Sequence, residues 1–187
     1  MGIKIGIILF LFTTQLFSQS QDEILRDLRE ENVPFKDKES YPKDFYLEKL
    51  RMIYLAMGSA LETKDDKQAI EEGNKLEKAG ITPDVIKIRG KAELGEEQVL
   101  YLKICKLRAE AYYNLREFKS ALPDSKFIVE NHPRPVVFDF TRYAVSLYYS
   151  GNEKTSKRIL EQANTKFKNE NDRLILSKTI KLLFNDY

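Results

Sequence analysis

Residues 102–167 read LKICKLRAEAYYNLREFKSALPDSKFIVENHPRPVVFDFTRYAVSLYYSGNEKTSKRILEQANTKF, and this stretch says nearly the same thing twice. Cys105, Ala109, Tyr112 and Ala121 are followed, each 35 residues later, by Phe140, Ala144, Leu147 and Ser156. Within each copy the apolar residues recur at helical spacing, and strand-like alternation is scarce. An offset kept across two helical patterns and the turn between them marks a stacked repeat, in which each unit buries its neighbour's apolar face. Arrays built this way usually hold partners and do no chemistry.

The flanking sequence continues the helical pattern. Pro42 suits the first turn of a helix running to about Glu62, with Phe45, Leu47, Leu50, Ile53, Tyr54, Met57 and Leu61 as its stripe. Thr63-Lys64-Asp65-Asp66 is a turn whose aspartates cap the next helix, which carries Ala69, Ile70, Gly73 and Leu76 and stops at Gly80. Gly90 and Gly95 limit residues 81–95 to a short helix or an irregular segment. A long helix then runs from Glu96 to about Leu115, and a second from near Glu117 to His132-Pro133-Arg134-Pro135, where two prolines exclude further helix. Val136 to Ser150, the turn Gly151-Asn152, and Glu153 to Phe167 make the last hairpin. Asn169 and Asn171 are placed to cap a final helix bearing Leu174, Ile175, Ile180, Leu182, Leu183 and Phe184.

The chain opens differently. Lys4, the apolar run Ile5 to Phe12, and the small residues Ser18 and Ser20, with no acid before Asp22, form the pattern of a secretory signal with cleavage after Ser18 or Ser20. Eight apolar residues span only about 12 Å of helix, far short of a hydrocarbon core of roughly 30 Å. The expectation is therefore a periplasmic or secreted protein with no stable membrane anchor after cleavage. Residues 21–41 read as a short amphipathic helix and a linker around Pro34.

Cleavage after Ser20 leaves 167 residues and a formal charge of +1, thirty cations against twenty-nine anions. That is enough chain for one domain with a real core. It lacks the basic excess that phosphate neutralisation requires, so nucleic acid is not an expected partner. The single cysteine forbids an internal disulfide, and the fold stands on packing alone.

The hairpin pattern resembles the tetratricopeptide repeat, whose signature runs aromatic, leucine-glycine, tyrosine, alanine, aromatic, proline. In the middle unit those places hold Cys105, Arg108-Ala109, Tyr112, Ala121, Ser125 and Pro133. In the last unit they hold Phe140, Tyr143-Ala144, Leu147, Ser156 and Leu160. An earlier copy reads Ile53, Ala56-Met57, Ala60, Ala69 and Gly73. The resemblance implies an all-α helical-hairpin solenoid over residues 42–187, with about three helix pairs plus flanking helices. Three departures stand out. Arg108 replaces the leucine, Pro123 falls inside a helix and calls for a kink or a delayed start, and the early unit is set 52 residues before the middle one, a surplus of about 18 that interrupts the regular superhelix.

In that family the first helix of each pair lines a concave groove for a peptide or protein segment. Carried over, the groove residues here are Arg51, Tyr54 and Leu61 in the early unit, Lys103, Lys106, Glu110, Tyr113 and Asn114 in the middle unit, and Phe138, Thr141, Arg142, Val145, Tyr148 and Tyr149 in the last. Spacing adds its own support. Lys103, Lys106, Glu110 and Tyr113 follow one wet stripe of a helix, beside the apolar stripe of Leu102, Cys105, Ala109 and Tyr112. Aromatics with cations suit an extended peptide, the cations favouring an acidic one; the alternative is that these tyrosines pack between helices with only their hydroxyls wet and the cations merely solvate the surface. The groups that clamp a C-terminal carboxylate in some family members are mostly missing, with Arg142 alone in place.

The expected role is an adaptor or assembly module of the cell envelope, with a self-associating homodimer through the final unit as the rival. A hydrolase or metal-dependent enzyme is the rival from another class. It has little to draw on: His132 sits beside Pro133 with no nucleophile paired to it, Cys105 falls on the apolar stripe, and Asp65-Asp66 reads as a helix cap. No catalytic residue, metal ligand or cofactor is assigned.

Overall fold

A computed structural model describes residues 45–88 and 94–184. The signal reading of residues 1–20, the helix and linker of 21–41, Pro42 and Gly90 lie outside these. Among the described residues there is no strand. The described residues form seven α-helices of eight residues or more and one four-residue helical turn. They are α1 (Phe45–Glu62), α2 (Asp66–Gly73), the turn α3 (Lys75–Lys78), α4 (Glu96–Asn114), α5 (Phe118–Asn131), α6 (Val137–Tyr149), α7 (Glu153–Lys166) and α8 (Glu170–Phe184).

Local chemistry sets most of the boundaries. The buried residues of α1, Leu50, Ile53, Met57 and Ala60, recur at steps of three and four along one face. Its run ends at Lys64, which takes a left-handed φ of 60°, and the Asp65 carboxylate then accepts the Gln68 N–H at 3.0 Å to start α2. Gly80, with φ 62°, closes the first hairpin, and Gly151, with φ 84°, turns α6 into α7. The Asp139 carboxylate accepts the Val136 N–H at the start of α6, and Asn169 Oδ1 accepts the Asp172 N–H at the start of α8.

One expectation needs correcting, and one of two alternatives closes. The second helix does not run unbroken to Leu76: it ends at Gly73, whose carbonyl accepts from Arg108 Nη1 at 3.3 Å, and resumes only as the turn α3. Pro123 does not delay α5, which begins at Phe118 with the proline inside it. Pro123 is exposed, so the backbone bond it forfeits is lost on a face that solvent reaches.

Residues 81–88 are irregular, yet Ile81, Ile86 and Ile88 are all buried in the first core with Leu50, Met57, Leu76, Leu102 and Ile104. These three residues of the surplus stretch thus join the core that α1 and α4 share. Gln98 Nε2 donates to the Ile86 carbonyl at 2.9 Å and ties it to α4. A second core joins Phe140, Ala144, Leu147, Leu160, Ala163, Leu176 and Leu183 from α6, α7 and α8.

Each helix packs on its neighbours in order. α1 lies against α2 and α4, α2 against α4, α4 against α5, α5 against α6, α6 against α7, and α8 against both α6 and α7. Small residues permit the close approaches. Ala109, Ala121, Ala144 and Ser156 are buried, and the Ser156 hydroxyl donates to the Ala144 carbonyl at 2.7 Å, which holds α7 against α6. No helix among the described residues is long and apolar enough to cross a membrane.

Candidate functional site

The stripe read on α4 faces the matching part of α6, and much of its charge is already engaged there. Lys106 Nζ lies 3.0 Å from Asp139 Oδ1, and Arg142 Nη2 lies 2.9 Å from Glu110 Oε2. Asp139 is an inner partner, with a side chain only 2% exposed whose other oxygen accepts the Val136 N–H. Lys106 therefore neutralises a buried carboxylate and helps to hold α6 on α4. Lys103 is exposed, with its ammonium 5.4 Å from the centre of the Tyr54 ring. Asn114 donates from Nδ2 to Asp66 Oδ1 at 2.9 Å and links α4 to α2.

The aromatic residues assemble into a ladder. Tyr113 meets Phe118 edge-on at 5.4 Å, and Phe118 stacks on Tyr149 at 4.5 Å. Tyr149 meets Tyr148 at 5.4 Å, and Tyr148 meets Phe184 at 5.4 Å. The ladder runs from α4 past the start of α5 to the end of α6 and on to α8. Burial pushes the Tyr113 hydroxyl up, the Arg142 charge pulls against that shift, and Tyr149 adds to it, so these three groups share one neighbourhood.

Phe138 and Tyr149 are left 53% and 51% exposed. Phe138, Arg142 and Tyr149 stand at i, i+4 and i+11 on α6, which is one face of a helix. Thr141 and Val145, also carried over as groove residues, are buried instead. The ridge thus presents two aromatic rings with a guanidinium between them.

Sequence reasoning missed the most connected polar side chain. Arg108 is 7% exposed. Its Nε and Nη2 donate to Asp124 Oδ2 and Oδ1 at 2.7 and 2.9 Å. Its Nη1 reaches the Gly73 carbonyl, Asn74 Oδ1 and Glu77 Oε1 at 3.3, 3.2 and 3.0 Å. Burial works against the guanidinium's charge, but the paired Asp124 carboxylate outweighs it and the pKa is raised. By capping the last carbonyl of α2, Arg108 joins the first hairpin to α4 and α5. Burial also pushes the Cys105 thiol and the Tyr101 hydroxyl up, with Asp124 adding to both shifts. Cys105 is a buried, free thiol. The available signal was the charged residue on an apolar repeat position; nothing in the spacing pointed to Asp124.

His132 Nδ1 accepts the Arg134 N–H at 3.1 Å, and burial lowers the imidazole's pKa. Among the described residues no three of His, Cys, Asp and Glu stand together in a group that could hold a metal ion. Compared with family models, with curated proteins and with solved structures, the chain matches none.

Proposed function

We propose that this chain is an exported, tetratricopeptide-like adaptor that receives a peptide or protein segment on the wall formed by α4 and α6, and that it is not an enzyme. One observation carries the reading: Phe138 and Tyr149 stay half exposed on a single face of α6 while most of the helix between them, Asp139 to Thr141 and Tyr143 to Leu147, is buried. Large aromatic rings left at a surface beside a shielded arginine are the residue types that dominate binding hot spots. The repeat-like reading is supported by the residues that recur at 35-residue spacing, since Cys105, Ala109 and Ala121 are buried along with Phe140, Ala144 and Ser156. Export rests on the signal-like opening of the sequence.

A photo-crosslinking amino acid at position 138, with one at the exposed Leu55 of α1 as control, tests the reading in the native compartment. A discrete adduct is expected at 138 and not at 55. Equal adducts at both positions, or none at 138, would remove the proposed wall. The exposed Leu174 and Leu182 on α8 favour the second reading, self-association through the final unit. Sedimentation over a concentration series decides it, because a strict monomer at high concentration excludes a dimer.

A further inference from the structure

The connection from α5 to α6 reads His132-Pro133-Arg134-Pro135-Val136, and its two prolines leave it three backbone N–H groups. The His132 N–H donates to the Ile128 carbonyl at 2.8 Å, where α5 ends. The Arg134 N–H donates to His132 Nδ1 at 3.1 Å, and the Val136 N–H donates to Asp139 Oδ2 at 2.8 Å, where α6 starts. All three donors are matched, two of them by ionisable side chains. The prolines fix φ at two of the five positions, so the connection has little freedom to find other partners.

Those two side chains also act on each other. An imidazole accepts at Nδ1 only while that nitrogen carries no proton, so the bond to Arg134 belongs to the neutral ring with its proton on Nε2. Burial of His132 favours that neutral form. Asp139 of α6 and the Arg134 backbone favour the charged ring, while Lys106 of α4 and Lys166 of α7 oppose it. The balance holds the imidazole below its ordinary pKa of 6.5. Asp139 is also the carboxylate that Lys106 reaches at 3.0 Å. A protonated His132 gives up the Arg134 N–H and competes for Asp139 with Lys106 and the Val136 N–H. We infer that the α5–α6 connection is a proton-operated latch: neutral His132 holds the Arg134 N–H, and protonation releases it and draws the ring toward Asp139 at the α4–α6 junction. The device governs how α6 begins and does not depend on what the proposed wall receives. Its contribution to stability is full above about pH 6.5 and is lost as pH falls through the lower folded midpoint.

An NMR titration of the full chain between about pH 8 and pH 5 tests this. His132 is the chain's one histidine, so a single imidazole signal reports it. Its midpoint is expected below 6.5, and the Arg134 amide should shift with the same midpoint. Hydrogen exchange at Arg134, relative to its intrinsic rate, should rise about tenfold on the acid side, the effect of losing one hydrogen bond. His132→Asn keeps an acceptor for the N–H two residues on and does not titrate, so its Arg134 amide should stay constant over the range. Lys106→Met removes an opposing charge and should raise the His132 midpoint. A midpoint at or above 6.5 overturns the inference, as does an Arg134 amide that ignores it or follows pH equally in His132→Asn. An unmoved midpoint in Lys106→Met overturns the link to the α4–α6 junction. If either variant does not fold, the paired titration of His132 and Arg134 in the unaltered chain decides.

Discussion

The junction of α2 with α4 and the junction of α4 with α6 join parts of one helical fold by different physics. The first is closed by a buried ion pair, with Arg108 held by Asp124 and by the end of α2, and by Ile81, Ile86 and Ile88 filling the core beside it. The second is held at its edge by Lys106–Asp139 and Arg142–Glu110 and by a ladder of rings that remains partly exposed. The first junction is enclosed, whereas the second leaves Phe138 and Tyr149 half exposed beside Arg142, the surface that the proposed wall would use.

Breaking the first junction should have the largest effect. Asp124→Ala strands the Arg108 charge in the interior and is expected to lower unfolding free energy by about 3–5 kcal/mol in a denaturant titration. Replacing both partners, Arg108→Met with Asp124→Leu, should recover most of that loss, because no charge is then buried unpaired. A double variant as unstable as the single one would show that the pair's geometry, not its charge balance, holds the junction.

At the second junction Lys106→Met leaves the buried Asp139 carboxylate with the Val136 N–H alone. A loss of about 1–3 kcal/mol is expected in the same titration. An unchanged midpoint would place this pair among the ornamental surface bridges. Gly73→Ala then probes the fit around Arg108. The added Cβ would stand 3.0 Å from Arg108 Cδ and 3.0 Å from Met57 Cε. Crowding of about 1–3 kcal/mol set against a helix-propensity gain of about 1 predicts a net loss near 1 kcal/mol, visible as a lower melting temperature. The smallest effect belongs to Glu110→Gln. Its pair with Arg142 is partly solvated and should contribute well under about 1 kcal/mol, leaving the melt unchanged. A large loss there would erase the contrast between the junctions.

Much of the fold was legible because its signals act over a few residues. Asp65 caps, Gly80 and Gly151 turn, Pro133 ends α5 and Asn169 starts α8, each through its own backbone or side-chain geometry. The break after Gly73 was not legible, since its carbonyl is taken by a side chain 35 residues away. Nor was the burial of Ile81, Ile86 and Ile88, for an irregular segment carries no periodicity to show which face it hides. Of the candidate site, the sequence placed the aromatic and cationic residues on the right helices. It did not show that Lys106 and Lys103 are already occupied by Asp139 and the Tyr54 ring.

The sequence by itself therefore determined that the described chain is helical, where its longer helices stop and which small residues lie between them. Caps, prolines, glycines and apolar spacing decide those matters locally. Only the tertiary structure decided which charges meet, making Arg108 a saturated hub with Asp124 and leaving Arg142 with a single partner. Pairing depends on the axial shift of one helix past another, a matter of a few ångströms that residue spacing within either helix does not encode.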